Sequence, residues 1–200
     1  MSDALGEGTP TPGGRTGGNR SMAGARDLIG TLLVAVILAL LVRTFVIESF
    51  VVEGVSMEPT FLNGEHVLVD KTAFWFSPPK TGEIIVFKPP IQDPTEDYIK
   101  RVIATAGETV GIRNGNVYVD GHELQQPYIE YWDPTSFHTV RVPKGDVFVL
   151  GDNRPDSYDS RYFGPVPIPS IAGQVVFAFW PLSRLGTVGQ PEPGSRGYRA

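Results

Sequence analysis

Two hundred residues with 41% apolar content supply one ordinary domain plus appendages. A formal charge of −5 argues against the basic face of a nucleic-acid binder, and the absence of cysteine excludes structural disulfides, cysteine-ligated zinc and thiol nucleophiles. His66, His122 and His138 are scattered without metal-ligand spacing, so neither a metal site nor a cofactor is expected.

Residues 1–26 are rich in Gly, Pro, Ser and Thr and nearly free of apolar side chains, the composition of a disordered tail. Leu28 to Val42 then runs without a charge. As a helix it spans about 22 Å, short of the roughly 30 Å hydrocarbon core. Taking in Thr44 to Ile47, with Arg43 snorkelling to the headgroups, brings segment 27–47 to spanning length. A core helix would carry a polar face, and this one is apolar all round. A cleaved signal peptide would be followed by a small-x-small site, and none follows Val42. A single retained anchor in the plasma membrane is therefore expected, making the lipid bilayer a partner. Arg15, Arg20 and Arg26 precede it against Arg43 alone, which puts the N-terminus in the cytoplasm and residues 48 onward outside.

Beyond the anchor the chain reads as β. His66 to Asp70 alternates, Glu83 to Phe87 is a short apolar run after a turn at Lys80 to Gly82, and Tyr98 to Ile103 is a third strand. Asn114-Gly115 and Asp120-Gly121 are hairpin turns flanking Asn116 to Val119. Val147 to Leu150 and Gln174 to Trp180 read as buried strands. Such spacing predicts an all-β, mostly antiparallel barrel or sandwich over 48–185, followed by a loose tail over 186–200. Phe74-Trp75-Phe76, taken as a strand, cannot turn all three rings to one core. At least one should emerge on the opposite face, as an apolar rim at the bilayer surface; burial of all three under a loop is the alternative.

Three stretches carry candidate chemistry. In Val52 to Thr60, Ser56 stands between Gly54 and Pro59, which break regular structure and can hold a hydroxyl outward with its own N–H beside it. An ordinary loop serine is the alternative. In Tyr98 to Ile103, alternation puts Lys100 and Arg101 on opposite faces, so one must point inward unless the strand lies at an edge. An inward Lys100 would lose its proton more easily and could serve as a base. In Gly151 to Gly164, acids, arginines and serines crowd one loop, a pattern suited either to solvent or to bracing a site.

Together, V-E-G-V-S-M-E-P-T, D-Y-I-K-R-V-I-A-T-A-G-E and G-D-N-R-P-D-S-Y-D-S-R-Y-F-G behind one anchor resemble the bacterial type I signal peptidases, from about residue 28 to about 185. The resemblance implies a membrane-bound serine endopeptidase that removes signal peptides from exported preproteins after a small-x-small motif, usually Ala-x-Ala. It implies Ser56 as nucleophile, Lys100 as general base and Ser157 as the hydroxyl that hydrogen-bonds the lysine. It also implies Asp152, Asp159, Arg161 and Arg101 as ionic bracing, and Phe50, Val52, Phe61 and Ile99 as the lining of shallow subsites. The Ser56 N–H would serve the oxyanion hole. Gly54 departs from members that carry a serine there, leaving the second donor unnamed. Residues 109–141 correspond to the family's variable β insertion. A self-cleaving repressor-type Ser–Lys protease shares the fold but needs no anchor, and a tethered non-catalytic β module would not need Ser56, Lys100 and Ser157 together.

The arginine flank makes topology testable. Protease added to intact spheroplasts should digest the region after residue 48, and protection of that region would reverse the orientation.

Overall fold

The computed structural model describes residues 19–90 and 95–188. Residues 1–18 and 189–200, and with them Arg15 and most of both expected tails, lie outside the described residues. The chain divides into two compact units, the second beginning at Val42.

The first helix, α1 (Asn19–Phe45), begins within the expected tail, because extending an existing helix by a turn or two costs little. Its window Leu28–Phe45 is long and apolar enough to cross a membrane, and its side chains stay exposed all round. Arg43 in the last turn complements the helix dipole.

Chain order continues through β1 (Ile47–Val51), β2 (His66–Asp70), β3 (Ile84–Phe87), β4 (Tyr98–Ala104), β5 (Thr109–Arg113), β6 (Asn116–Val119), β7 (His122–Glu123), β8 (Phe137–Arg141) and β9 (Asp146–Leu150). It closes with α2 (Ser160–Phe163), β10 (Val166–Pro167), β11 (Ile171–Trp180) and β12 (Gly186–Thr187). One sheet runs β1-β2-β11-β3-β4-β9-β10 with β12 added to β11, and a second runs β7-β6-β5-β8. Every pairing is antiparallel. Register shifts interrupt β11 against both β2 and β3, and such bulges bend and twist a strand, so the large sheet curls.

Both faces of that sheet are covered, which explains why β3 reads as a continuous apolar run. Ile84 and Val86 join one core cluster with Val52, Met57, Phe61, Val67 and Val69, whereas Ile85 and Phe87 join another with Val102, Val147 and Val149. A third cluster seats the smaller sheet against Ile103, Ala104, Phe148 and Leu150. That smaller sheet is built from residues 109–141. Its two hairpins turn where the sequence indicated, with positive φ at Asn114 and Gly115 and at Asp120 and Gly121.

Four further findings differ from the sequence expectations. Strand β1 opens at Ile47, the last residue of the expected anchor, because Phe45-Val46-Ile47 is apolar whether helical or extended, and it runs on over 48–51, where no strand was expected. Strands β5 and β8 were missed, β8 because it is mostly solvated. Gly186–Thr187 pairs with β11 and Val188 is buried, so the expected tail starts inside the domain. Phe74 to Phe76 lie in turns rather than a strand; Phe74 packs on a core cluster while Trp75 and Phe76 are 62% and 94% exposed.

Gly173 is required by close approach, since a Cβ there would lie 2.4 Å from the Asp70 carbonyl oxygen and 2.7 Å from Val69 Cγ1. Gly173→Ala should therefore force β11 off β2 and lower stability by about 1–3 kcal/mol. Thermal unfolding followed by circular dichroism should show a midpoint lower by about 2–10 °C.

Candidate active site

Ser56 lies in a loop closed at its base by paired backbone: Val52 N–H donates to Glu65 O and Gly64 N–H to Val52 O, both at 2.8 Å. Met57, 1% exposed, anchors the loop in the core, so the residue before it is held at the surface of that core. Gly54 has φ +84° and gives its N–H to Asn63 Oδ1 at 2.9 Å; a Cβ there would meet nothing within 4 Å. Asn153 ties the loop to the segment after β9, donating its backbone N–H to Ser56 O and its Nδ2 to Val55 O, each at 3.1 Å. Among the described residues no hydrogen bond takes the Ser56 N–H.

Lys100 stands on β4, a central strand between β3 and β9. Neither long cation therefore reaches solvent: Lys100 is 5% and Arg101 4% exposed. The expectation that only one would be inward is corrected to both. Lys100 Nζ donates to Ser56 Oγ at 2.8 Å and to Ile99 O at 3.1 Å, and lies 5.2 Å from the Tyr98 ring centroid. Burial lowers its pKa to about 8, against the upward pull of Asp159 and Asp152. Relative to a free lysine, that shift makes the neutral amine roughly 300-fold more abundant near pH 7. When the amine is neutral, the same contact lets the serine hydroxyl donate to nitrogen.

Both nearby carboxylates are held by arginine forks. Arg101 donates from Nε and Nη2 to Asp152 at 2.9 and 2.6 Å, and from Nη1 to Gly82 O at 2.9 Å. Thr60 Oγ1 adds a donor to Asp152 at 2.5 Å. Arg161 donates from Nε and Nη2 to Asp159 at 2.8 and 2.9 Å. Asp159 also caps α2 by accepting from Arg161 N and takes the Gly151 N–H at 3.1 Å. Such bidentate, charge-assisted pairs tolerate burial because each lone pair finds a donor.

Ser157 occupies a related but different position from the one the resemblance implied. Its Oγ is buried and has no hydrogen-bond partner among the described residues, and the second donor of Lys100 goes to Ile99 O instead. It nevertheless lies near the backbone of Ser56. A Cβ built on Gly151 would lie 2.3 Å from Ser157 Oγ and 2.5 Å from Ser56 O, so only glycine fits between them. Phe50, Val52, Phe61 and Ile99 come together in the cluster around Met57; Val52 and Phe61 are closed off, while Phe50 and Ile99 keep some surface. His66 is in β2 with its ring against Phe179.

Sequence reasoning missed several members of this network. Thr60 and Asn153 sat inside the motifs and could have been singled out. Arg184 pairs with Glu65 and donates to Pro59 O and Thr60 O, and Gln126, Tyr128 and Asp133 reach the arginines from the segment between β7 and β8; no local pattern marks any of them.

Curled antiparallel sheet and a buried amine on a loop hydroxyl together define an all-β protein with a serine–lysine pair at its centre. Residues 25–180 match the family described as signal peptidase, peptidase S26, and the chain belongs to that family. It is 46% identical over 140 residues to a probable signal peptidase I-1 of Synechocystis, covering 67% of this chain and 71% of that one. It is 42% identical over 142 residues to a signal peptidase I of Leptolyngbya laminosa (68% and 70%), and 38% identical over 146 residues to one of Bacillus caldolyticus (66% and 79%).

The buried lysine makes stability depend on pH. Its folded-state pKa lies below the unfolded value, so between about pH 8 and 10 the unfolded chain binds more protons and stability rises with pH. Lys100→Met removes the buried charge. It should be more stable than the parent near pH 7 by up to about 3 kcal/mol, with the gap closing toward about pH 10. Denaturant unfolding at several pH values measures this, and a pH-independent gap would contradict a depressed lysine pKa.

Proposed function

We propose that the chain is a membrane-anchored serine endopeptidase that removes signal peptides from exported preproteins after a small-x-small motif. In this reading the apolar part of α1, from about residue 27 to Phe45, crosses the plasma membrane once, with the residues before it cytoplasmic and the catalytic domain, Ile47 to Val188, outside. The observation that carries it is the buried Lys100 Nζ 2.8 Å from Ser56 Oγ in a chain of this family.

Neutral Lys100 takes the Ser56 hydroxyl proton as Oγ attacks the carbonyl of the last signal-peptide residue. The negative oxygen that develops is met by the Ser56 N–H. Lys100 then returns the proton to the leaving amine of the mature chain, giving an acyl-enzyme. A water, deprotonated by Lys100, hydrolyses that ester and restores Ser56. Partly exposed Phe50 and Ile99 supply apolar contact for small side chains before the scissile bond, and Val52 and Phe61 back them from inside. Asp152, Asp159, Arg101 and Arg161 hold the loop after β9 in register with the nucleophile loop, and the buried, unpartnered Ser157 hydroxyl is the further hydroxyl that the family assigns to the lysine. Exposed Trp75 and Phe76 suit the bilayer interface, where aromatic rings are favoured, keeping the domain at the level where a signal peptide emerges.

Detergent-solubilised full-length protein should cleave a preprotein ending its signal in Ala-x-Ala, with the new N-terminus read by mass spectrometry. Ser56→Ala and Lys100→Arg should each lose at least about 10³-fold in kcat/KM, and the double variant should be hardly worse. The rate should rise with pH through about 8, as Lys100 loses its proton. Substantial activity in Lys100→Arg would refute the assignment, because a guanidinium does not deprotonate in this range.

A further inference from the structure

Residues 124–136 join β7 to β8 without regular structure of their own. Both ends are fixed to the small sheet. Leu124 is buried in its core cluster, while Thr135 O accepts the Gly115 N–H at 3.3 Å and Ser136 Oγ the Asn114 N–H at 3.0 Å. Between those anchors three side chains reach three different arginines of the site. Gln126 Oε1 accepts from Arg154 Nη1 at 3.0 Å, and Arg154 Nε in turn donates to Gly151 O at 2.9 Å, beside the nucleophile loop. The Tyr128 ring stacks on the Arg101 guanidinium at 3.9 Å. Asp133 Oδ2 accepts from Arg161 Nη1 at 3.0 Å.

We propose that this segment is a strap that mounts the catalytic centre, with Tyr128 as its positioning residue, holding Arg101 on Asp152 so that the carboxylate stays paired and away from Lys100. The inference rests on the serine–lysine reading above. A guanidinium offers donors at its edge and an apolar face to stack. Here the edge is committed to Asp152 and Gly82 O, and the face is covered by Tyr128. Uncovering the face would admit water to Arg101 and give it a competing environment. Asp152 would then act on Lys100 with less of its charge neutralised and stabilise the ammonium. Around Lys100 stand Ser56, Tyr98, Asp152 and Asp159, with Arg101 and Arg161 as counter-ions of the two acids. Burial pushes the Tyr128 phenol above its ordinary range, so its own ionisation does not enter the acid side of the profile. The hydroxyl accepts from Gln126 Nε2 at 3.2 Å, an edge contact that the stacking does not require.

The test is kcat/KM against pH for the full-length protein in detergent, with a peptide containing Ala-x-Ala, comparing the parent with Tyr128→Phe, Tyr128→Leu and Tyr128→Met. In Tyr128→Leu the acid-side midpoint should move up by about half to one pH unit, with a loss near pH 7 of about three- to tenfold that shrinks at higher pH. Tyr128→Phe, which keeps the stacking face, should retain the parent midpoint. If Tyr128→Leu does not fold, Tyr128→Met, also without a π face, carries the same comparison. A purely structural strap would scale the rate equally at every pH, and an unmoved midpoint in the Leu and Met variants, or a Phe variant as shifted as they are, overturns the inference. A parent that fails to cleave at any pH overturns the functional reading and this one with it. An active parent with coincident profiles overturns only the strap.

Discussion

The proposed reaction asks a lysine amine to give up its proton near neutral pH, which it cannot do beside unpaired carboxylates. This fold nevertheless sets two of them close enough to Lys100 to pull its pKa upward. The rest of the site follows from how that conflict is contained. Burial in a central strand supplies the downward shift. Each acid is turned toward an arginine fork, Asp152 toward Arg101 and Asp159 toward Arg161, so much of its charge is met before it reaches the amine. Removing either arginine would leave a buried carboxylate uncompensated, a far larger disturbance than losing a surface ion pair.

The acids are kept because they also build the loop after β9. Asp159 caps α2 and binds the Gly151 N–H; Asp152 accepts from Thr60 in the loop that carries Ser56. Asn153 closes the same joint through the carbonyls of Val55 and Ser56. The distance between serine and lysine is thus set by two loops bolted to each other, with Gly151 as the spacer whose missing side chain lets them approach. Strand β4 contributes to both sides of this arrangement. Its alternation sends Lys100 to the serine and Arg101 to Asp152, and antiparallel pairing with β3 and β9 denies either side chain an exit to water.

Much of this was legible in the chain before any coordinates. The apolar helix, the hairpin turns at Asn114-Gly115 and Asp120-Gly121 and the buried runs in β3 and β9 come from local signals, whereas the pairing of Ser56 with Lys100 came from the family resemblance and β11, read as buried, leaves Trp180 exposed. Those signals are the periodicity of burial, turn residues that accept positive φ, and motifs dense enough to mark a family. The helix, turns and buried runs survive in one dimension because the physical cause and its residues are neighbours; Ser56 and Lys100, 44 positions apart, needed the motifs.

What three-dimensional packing settled is of another kind. That Lys100 and Arg101 are both buried depends on β4 being interior to the sheet, and strand order is a property of long-range pairing that alternation does not encode. Tyr128 on Arg101, Asp133 on Arg161 and Arg184 on the loop after Pro59 join residues 27, 28 and more than 120 positions apart. Each is an ordinary polar or aromatic residue until folding gives it a partner. Local chemistry names the groups that can react; their protonation and their reach are set by what the fold brings against them, because burial and charge neutralisation act through space rather than along the chain.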